Sequence, residues 1–489
     1  MLFSSAFFKL NRTPLLLVVA CLLFYLSFAY NLTRTDYTKL ITLYIALLFL
    51  FYKLILILKH NISALAWISF AFRAIFILAI PNLSQDFYRF IWDGRIILEG
   101  INPYLYTVES FMNKGESPVA QAQELYTGMG QLNASHFTNY PPINQLCFVI
   151  AGLFAGKSIL GSAIVMRLLI IAADFGTLYF GKKLLKKLQI PVYTIFWYIL
   201  NPFIIIELTG NLHFEGVMIF FLIWSFYLLY SGKWQWAAVV LALSISVKLI
   251  PLIFLPLFLQ WFTKRHVIST KHSDERKQDV IAGSKQRDNL LRWIPDFAGI
   301  TRLIGFYTIV LITTILLFAP FYSSKFINNY AQTVGLWFQN FEFNASIYYI
   351  AREIGYLFRG YNEIAIIGKV TPIIVVLFVL ILTFFRKNKT FIELITAMLL
   401  ALSFYYFTTT TLHPWYVATL LILSVFTKYK FPLVWSFVII LSYLAYINLN
   451  KADKSENLWV IALEYVIVYG VFIWEILTKK NHSLISSKR

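Results

Sequence analysis

The chain has 489 residues, of which 59% are hydrophobic, 18% aromatic and only 13% charged. Soluble domains run to about half apolar and a quarter charged, so this composition, with a mean hydropathy of +0.69, excludes a large water-soluble enzyme. Its 42 Lys and Arg against 23 Asp and Glu give a formal charge of +19, which in a soluble chain would point to nucleic acid and in a membrane chain reflects basic cytoplasmic loops.

A spanning helix needs about 20 mostly apolar residues. In chain order the candidate runs are 14–32, 38–58, 62–81, 160–181, 191–208, 215–231, 235–247 and 251–262, the last two broken around Lys248. Then come 303–321, 370–385, 391–411, 414–427, 431–448 and 458–478, about fourteen in all. The expected fold class is therefore an all-α, polytopic membrane protein, read as one integral-membrane domain over 1–489. The cysteines, Cys21 and Cys147, give neither metal spacing nor a disulfide framework. Val18-Val19-Ala20-Cys21 has the look of a lipoprotein cleavage site, but the apolar run continues to Leu32. That is too long for a signal segment, so a retained first span is expected.

Alternation from a cytoplasmic N-terminus puts Lys182, Lys183, Lys186, Lys187 and the basic stretch 264–302 inside, with Arg386, Lys387, Lys389 and the C-terminal tail. About two-thirds of the basic residues then lie on the cytoplasmic side, as the orientation rule requires. Were 143–154 a full span, the Lys182–Lys187 cluster would flip outward, so 141–156 is expected as an interfacial or re-entrant helix on the outer side. Three regions remain between spans: a first outer loop at 82–156, a cytoplasmic loop at 263–302, and an aromatic, amphipathic second outer loop at 323–369.

Polar residues at membrane depth are costly and default to functional candidates. The densest cluster follows the third span: Asp86-Phe87-Tyr88-Arg89-Phe90-Ile91-Trp92-Asp93-Gly94-Arg95, then Gly100-Ile101-Asn102-Pro103-Tyr104. In a helix, Asp86 and Asp93 fall about two turns apart on roughly one face. A carboxylate at the water–lipid boundary can take a proton from a hydroxyl or hold a divalent cation such as Mg or Mn, while Arg89 and Arg95 can grip a phosphate bidentately. The same residues also suit an interfacial helix with internal charge pairs and an aromatic belt.

Asp86–Arg95 with Gly100–Tyr104 resembles the first-loop motif of bacterial polyprenol-phosphate-mannose-dependent mannosyltransferases, integral-membrane enzymes of the GT-C fold. The resemblance continues through Asn139-Tyr140-Pro141-Pro142, Arg167 and Asp174, and Asn201-Pro202 with Glu207, Gly210-Asn211, His213 and Glu215. Glu215 stands where that pattern usually has Asp. Lys248-Leu249-Ile250-Pro251 and His413-Pro414-Trp415-Tyr416 extend it. The resemblance implies Asp86 as catalytic base or metal-adjacent carboxylate, with Asp93 beside it. It implies a bacterial plasma-membrane enzyme with its site facing the periplasm or exterior. The donor would be a polyprenyl-phosphate sugar, the acceptor a glycan or glycolipid, and an inverting transfer would give an α-linkage. Substrate contacts are expected from Arg89, Arg95, Asn102, Tyr140, Glu207, His213, Glu215, Lys248 and His413. A metal, if one binds, would fall to Asp86 and Glu215.

Each candidate has a plainer alternative. Lys248 can snorkel, His213, Glu215 and Glu207 can cap helices, and His413 can be an interfacial ring. Arg167 and Asp174, seven apart, are expected as an internal ion pair. Arg73 is expected to face another helix with no functional role. The Asn-x-Ser/Thr triplets at Asn82, Asn133 and Asn344 are expected to be chance. A transporter or flippase of lipid-linked saccharides is the competing class, but paired broken spans are its signature, and only one broken hairpin is evident. A polysaccharide polymerase or ligase would share the cation logic without needing Asp86–Tyr104.

The sidedness is testable. Single cysteines introduced at Glu109 and Ser273 should label from opposite faces with an impermeant thiol reagent, and labelling of both from one face would overturn the map.

Overall fold

The structure is a computed structural model and describes residues 12–263, 297–339, 341–445, 447 and 456–486. Among these residues the chain is helical apart from loops and one isolated bridge between Phe343 and Thr411. The all-α, polytopic expectation holds, because lipid offers a backbone no hydrogen-bond partners and a helix satisfies its own. Most of the expected cytoplasmic loop at 263–302 lies outside the described residues.

Helices α1 (Arg12–Tyr30), α2 (Tyr37–Leu58) and α3 (Ile62–Ile75) pack on one another at the start of the chain. The first outer loop contributes α4 (Asp86–Leu98), α5 (Ala122–Ala134) and α6 (Pro142–Ala155). The long α7 (Ile159–Lys187) follows, then a bent pair, α8, formed by Val192–Ile199 and Pro202–Gly210 at 48°. Pro202 cannot donate into the ladder, and Asn201 restarts the helix by accepting from Phe203 N–H at 2.9 Å. The centre holds α9 (Glu215–Tyr230), α10 (Trp234–Ile245) and α11 (Ile250–Thr263); α9 packs against α7, α10 and α17 (Pro414–Val425). A helix apolar around its whole circumference belongs inside a bundle. The second half adds α12 (Phe297–Phe318), α13 (Ser324–Gln339), α14 (Ile347–Arg359), α15 (Ile364–Phe384), α16 (Phe391–Thr408), α18 (Phe431–Leu444) and α19 (Leu458–Ser486).

Seven of these helices are long and apolar enough to cross a membrane, eight if the bent α8 is one span. Seven more, including α6, are apolar but only 10–17 residues long. At about 1.5 Å per residue the 16-residue α9 covers roughly 24 Å, short of a hydrocarbon core of about 30 Å. Three expected spans prove longer than their uncharged stretch: α7 runs on through the Lys182–Lys187 cluster, α12 starts ahead of Arg302, and α15 starts ahead of Lys369. Arg302 and Lys369 are exposed, and their flexible stems can carry the charge towards the interface while the helix continues.

The expected Arg167–Asp174 ion pair does not form. Asp174 instead accepts from Arg73 Nε at 2.7 Å, with both side chains fully buried. Arg73 also donates to the carbonyls of Ser69 and Ile199, so it joins α3, α7 and α8. Arg167 donates to the carbonyls of Ile77, Thr209 and Gly210. It thereby satisfies the C-terminal end of the π-helical turn Ile205–Gly210, where carbonyls have no helical partner.

A buried pair that loses one partner leaves the other charge uncompensated. Arg73→Met should therefore cost about 3–5 kcal/mol, read as a lower melting temperature in detergent. Arg73→Met/Asp174→Leu should recover the greater part of the loss.

Candidate active site

The segment 82–156, expected as the first outer loop, is a closely packed frame. Gly94 lies where α4 crosses α6, and a Cβ there would come within 2.2 Å of the Phe148 carbonyl oxygen, so only glycine permits the approach. Phe90 stacks on Phe148 with centroids 4.7 Å apart, and Phe148 meets Phe214 edge-on. Two further hydrogen bonds tie the frame to the ends of α10 and α8. Ser246 accepts from Ile143 N–H at 2.9 Å, and Asn211 accepts from Leu83 N–H at 3.2 Å.

On this frame Asp86 opens α4, where the positive helix end favours an anion. Asn133, from α5, donates to its Oδ1 at 3.2 Å. Burial raises the Asp86 pKa above the ordinary carboxylate value, and Glu215 adds to the rise. Lys248, the Asn133 hydrogen bond and Arg34 pull the other way. The result is a half-buried carboxylate with an enhanced hold on a proton.

Lys248, between α10 and α11, sits 3.1 Å from Glu215 Oε1 and 5.1 Å from the centroid of the Tyr140 ring. Glu215 is fully buried, whereas the Lys248 side chain keeps 21% of its exposure. On the π turn, Glu207 accepts from Tyr443 OH at 2.8 and 2.9 Å, and His213 Nε2 lies 4.0 Å from it. The His213 ring stacks on Trp415 at 3.6 Å, and Trp415 stacks on His413 at 4.6 Å. Burial, then Lys248, lowers both histidine pKa values, that of His413 to about 3. Both rings are neutral near pH 7. The basin therefore offers three carboxylates, an ammonium and neutral rings at one end of the bundle.

Other expected contacts are spent on the loop itself. Arg89 pairs with Asp93 at 2.8 Å and donates to the carbonyls of Asn133 and His136. Gln145 donates to the other Asp93 oxygen. Asp93 is buried inside that network. Arg95 donates to Ala120 O. Asn102 donates to Phe321 O and accepts from Tyr104 N–H, which closes a turn. Each of Arg89, Arg95 and Asn102 thus donates to a backbone carbonyl inside the fold.

Several residues at the basin are absent from the sequence reading. Tyr443 lies in a late apolar run and carries no local signal. Arg34, in the short turn between α1 and α2, carries no local signal either. The Asn triplets are structural: Asn82 donates to Phe28 O and Leu32 O, Asn133 to Asp86, and Asn344 to Glu464. Among the described residues no three His, Cys, Asp or Glu side chains gather as a metal-holding group. Glu215, one of the two expected ligands, faces the Lys248 ammonium.

A family profile described as alpha-(1->6)-mannopyranosyltransferase, N-terminal domain, matches residues 18–264. The alpha-(1->6)-mannopyranosyltransferase A of Mycobacterium tuberculosis (strain ATCC 25618 / H37Rv) is 23% identical over 192 residues. That match takes in 39% of this chain and 35% of the relative, about a third of its length.

Because Glu215 has Lys248 as its cation, Lys248→Met should lower the melting temperature in detergent. Adding Glu215→Gln should restore most of it, since a neutral amide needs no counter-charge. A single variant as stable as the wild type would show that Lys248 is merely snorkelling.

Proposed function

The chain belongs to the alpha-(1->6)-mannopyranosyltransferase family, and on that premise we propose that the outer basin moves a mannosyl group from a polyprenyl-phosphate donor to a hydroxyl of a glycan or lipid-linked glycan. The observation that carries this reading is the grouping of Asp86, Glu207, His213, Glu215 and Lys248 at one end of the bundle, all within the matched residues 18–264.

In this reading Asp86 accepts the proton of the acceptor hydroxyl as its oxygen attacks the anomeric carbon. The bond from that carbon to the phosphate oxygen breaks, and the lipid phosphate leaves with its electron pair. A general base contributes about 10²–10⁴-fold. Asn133 holds the Asp86 carboxylate in place, and Lys248 offers a fixed cation to charge developing on the leaving phosphate. Glu207, steadied by Tyr443, and the rings of His213, Trp415 and His413 form the wall against which a sugar is oriented. Attack opposite a β-linked leaving group yields an α-linkage. The basin faces the periplasm or exterior in this reading, because the basic clusters at Lys182–Lys187 and Arg386–Lys389 occupy the other side.

The test is a transfer assay in membranes with a panel of radiolabelled polyprenyl-phosphate sugars. Transfer from the mannosyl donor supports the reading, and failure of every donor would overturn it. Asp86→Asn should lose at least about 10²-fold in turnover while still binding donor. Retention of more than about a tenth of wild-type turnover would move the base to another carboxylate. Asp86 acts when ionised, so kcat/KM should fall with decreasing pH through a pKa above the usual carboxylate range. Asn133→Leu removes a hydrogen bond that lowers this pKa, and should shift the acid limb further up.

A further inference from the structure

Arg34 lies beside Tyr443 and forms no ion pair among the described residues. It lies in the turn Asn31–Asp36 between α1 and α2, and the turn is firmly built. Asn82, at the start of the first outer loop, donates to Phe28 O at 2.8 Å and to Leu32 O at 3.1 Å. Leu32 is buried, Asp36 N–H donates to Thr33 O, and the Asp36 side chain caps α2 by accepting from Lys39 N–H. The backbone that carries Arg34 is thus tied to the same frame that carries Asp86.

The Arg34 side chain is exposed, and its guanidinium carbon sits 5.5 Å from the centroid of the Tyr443 ring. Tyr443 is the residue whose hydroxyl holds both oxygens of Glu207. Arg34 also acts on the charge of Asp86. Yet among the described residues no carboxylate pairs with it, whereas Lys248 is paired with Glu215, Arg89 with Asp93 and Arg73 with Asp174. The guanidinium's hydrogen-bond donors are open to solvent, and its planar fork matches phosphate oxygens two at a time. Lys248 cannot fill that need alone, because withdrawing its ammonium would leave Glu215 buried without a counter-charge.

We propose that Arg34 is a substrate-binding residue that grips a phosphate group at the Tyr443 edge of the basin. This rests on the donor reading above and deepens it: the cation is supplied by the first helical hairpin, not by the first-loop arginines. The same phosphate chemistry could reach Arg34 as the lipid phosphate of the donor or as free phosphate, and we commit to the phosphomonoester of the lipid.

The test compares wild type, Arg34→Gln and Arg34→Lys as purified full-length protein in detergent. Three probes are titrated: a polyprenyl monophosphate, the unphosphorylated polyprenol, and inorganic phosphate. Loss of a charge-assisted, bidentate contact should weaken polyprenyl monophosphate binding by about 10–100-fold in Arg34→Gln. Arg34→Lys should keep part of the affinity, and polyprenol binding and melting temperature should not change. Donor KM should rise in step, with a smaller effect on kcat. Equal binding of polyprenyl monophosphate by wild type and Arg34→Gln overturns the inference, as does a matching loss for polyprenol, which would mark a structural role. Inorganic phosphate that binds as tightly as the lipid and is lost in Arg34→Gln overturns the lipid assignment. A wild type that binds no polyprenyl monophosphate overturns the donor reading and this inference together, whereas a failure confined to Arg34→Gln leaves the donor reading intact.

Discussion

A charge buried in an apolar bundle must find an opposite charge or a set of hydrogen bonds, and most of this structure follows from how that need is met. Moving an ion out of water costs several kcal/mol even after relaxation. Several buried carboxylates accordingly tie together elements that are remote in the chain. Asp174 holds α3 to α7 through Arg73, Glu207 holds α8 to α18 through Tyr443, and Glu464 joins α19 to Trp435 and Asn344. The bundle is pinned by a few polar struts, while apolar side chains fill the space between them.

The basin is the place where the compensation is incomplete. Glu215 has one cation, Lys248, which still reaches solvent. Asp86 has a single side-chain hydrogen bond, from Asn133, and burial leaves it a better proton acceptor than an ordinary carboxylate. His213 and His413 are held neutral by the same burial and by Lys248. A site for proton transfer needs groups whose charge state is poised in this way, and fully compensated pairs such as Arg89–Asp93 cannot supply it. The frame around the basin is held by hydrogen bonds from Arg89, Arg95 and Asn102 to backbone carbonyls.

Much of this was legible in the chain. Composition and apolar run length placed the protein in the membrane, and the break around Lys248 falls where a polar residue interrupts the run, whereas the 48° bend at Asn201-Pro202 lies inside a run read as one unbroken span. The helix expected at 141–156 is there as α6. The spacing of Asp86 and Asp93 marked the segment that carries the basin, and Glu207, His213, Glu215, Lys248 and His413 come together as their positions at helix ends suggested. What the chain did not show is partnership: Arg89, Arg95 and Asn102 donate to backbone carbonyls, and Arg167, expected to face Asp174, meets carbonyls instead.

The sequence by itself determined the solvent, the secondary structure and the inventory of chemical groups, because hydropathy, proline and charge act locally along the chain. Only the tertiary structure decided which charge meets which. Arg73 and Asp174 are 101 residues apart, and Tyr443 and Glu207 are 236 apart. No periodicity along one helix encodes such a meeting. It is set by how closely helices approach, as at Gly94 against Phe148, and by which partner removes the largest desolvation cost within reach. Arg34 shows the difference most plainly: in the sequence it is one cation in a short turn, and in the fold it stands over Tyr443 with no carboxylate of its own among the described residues.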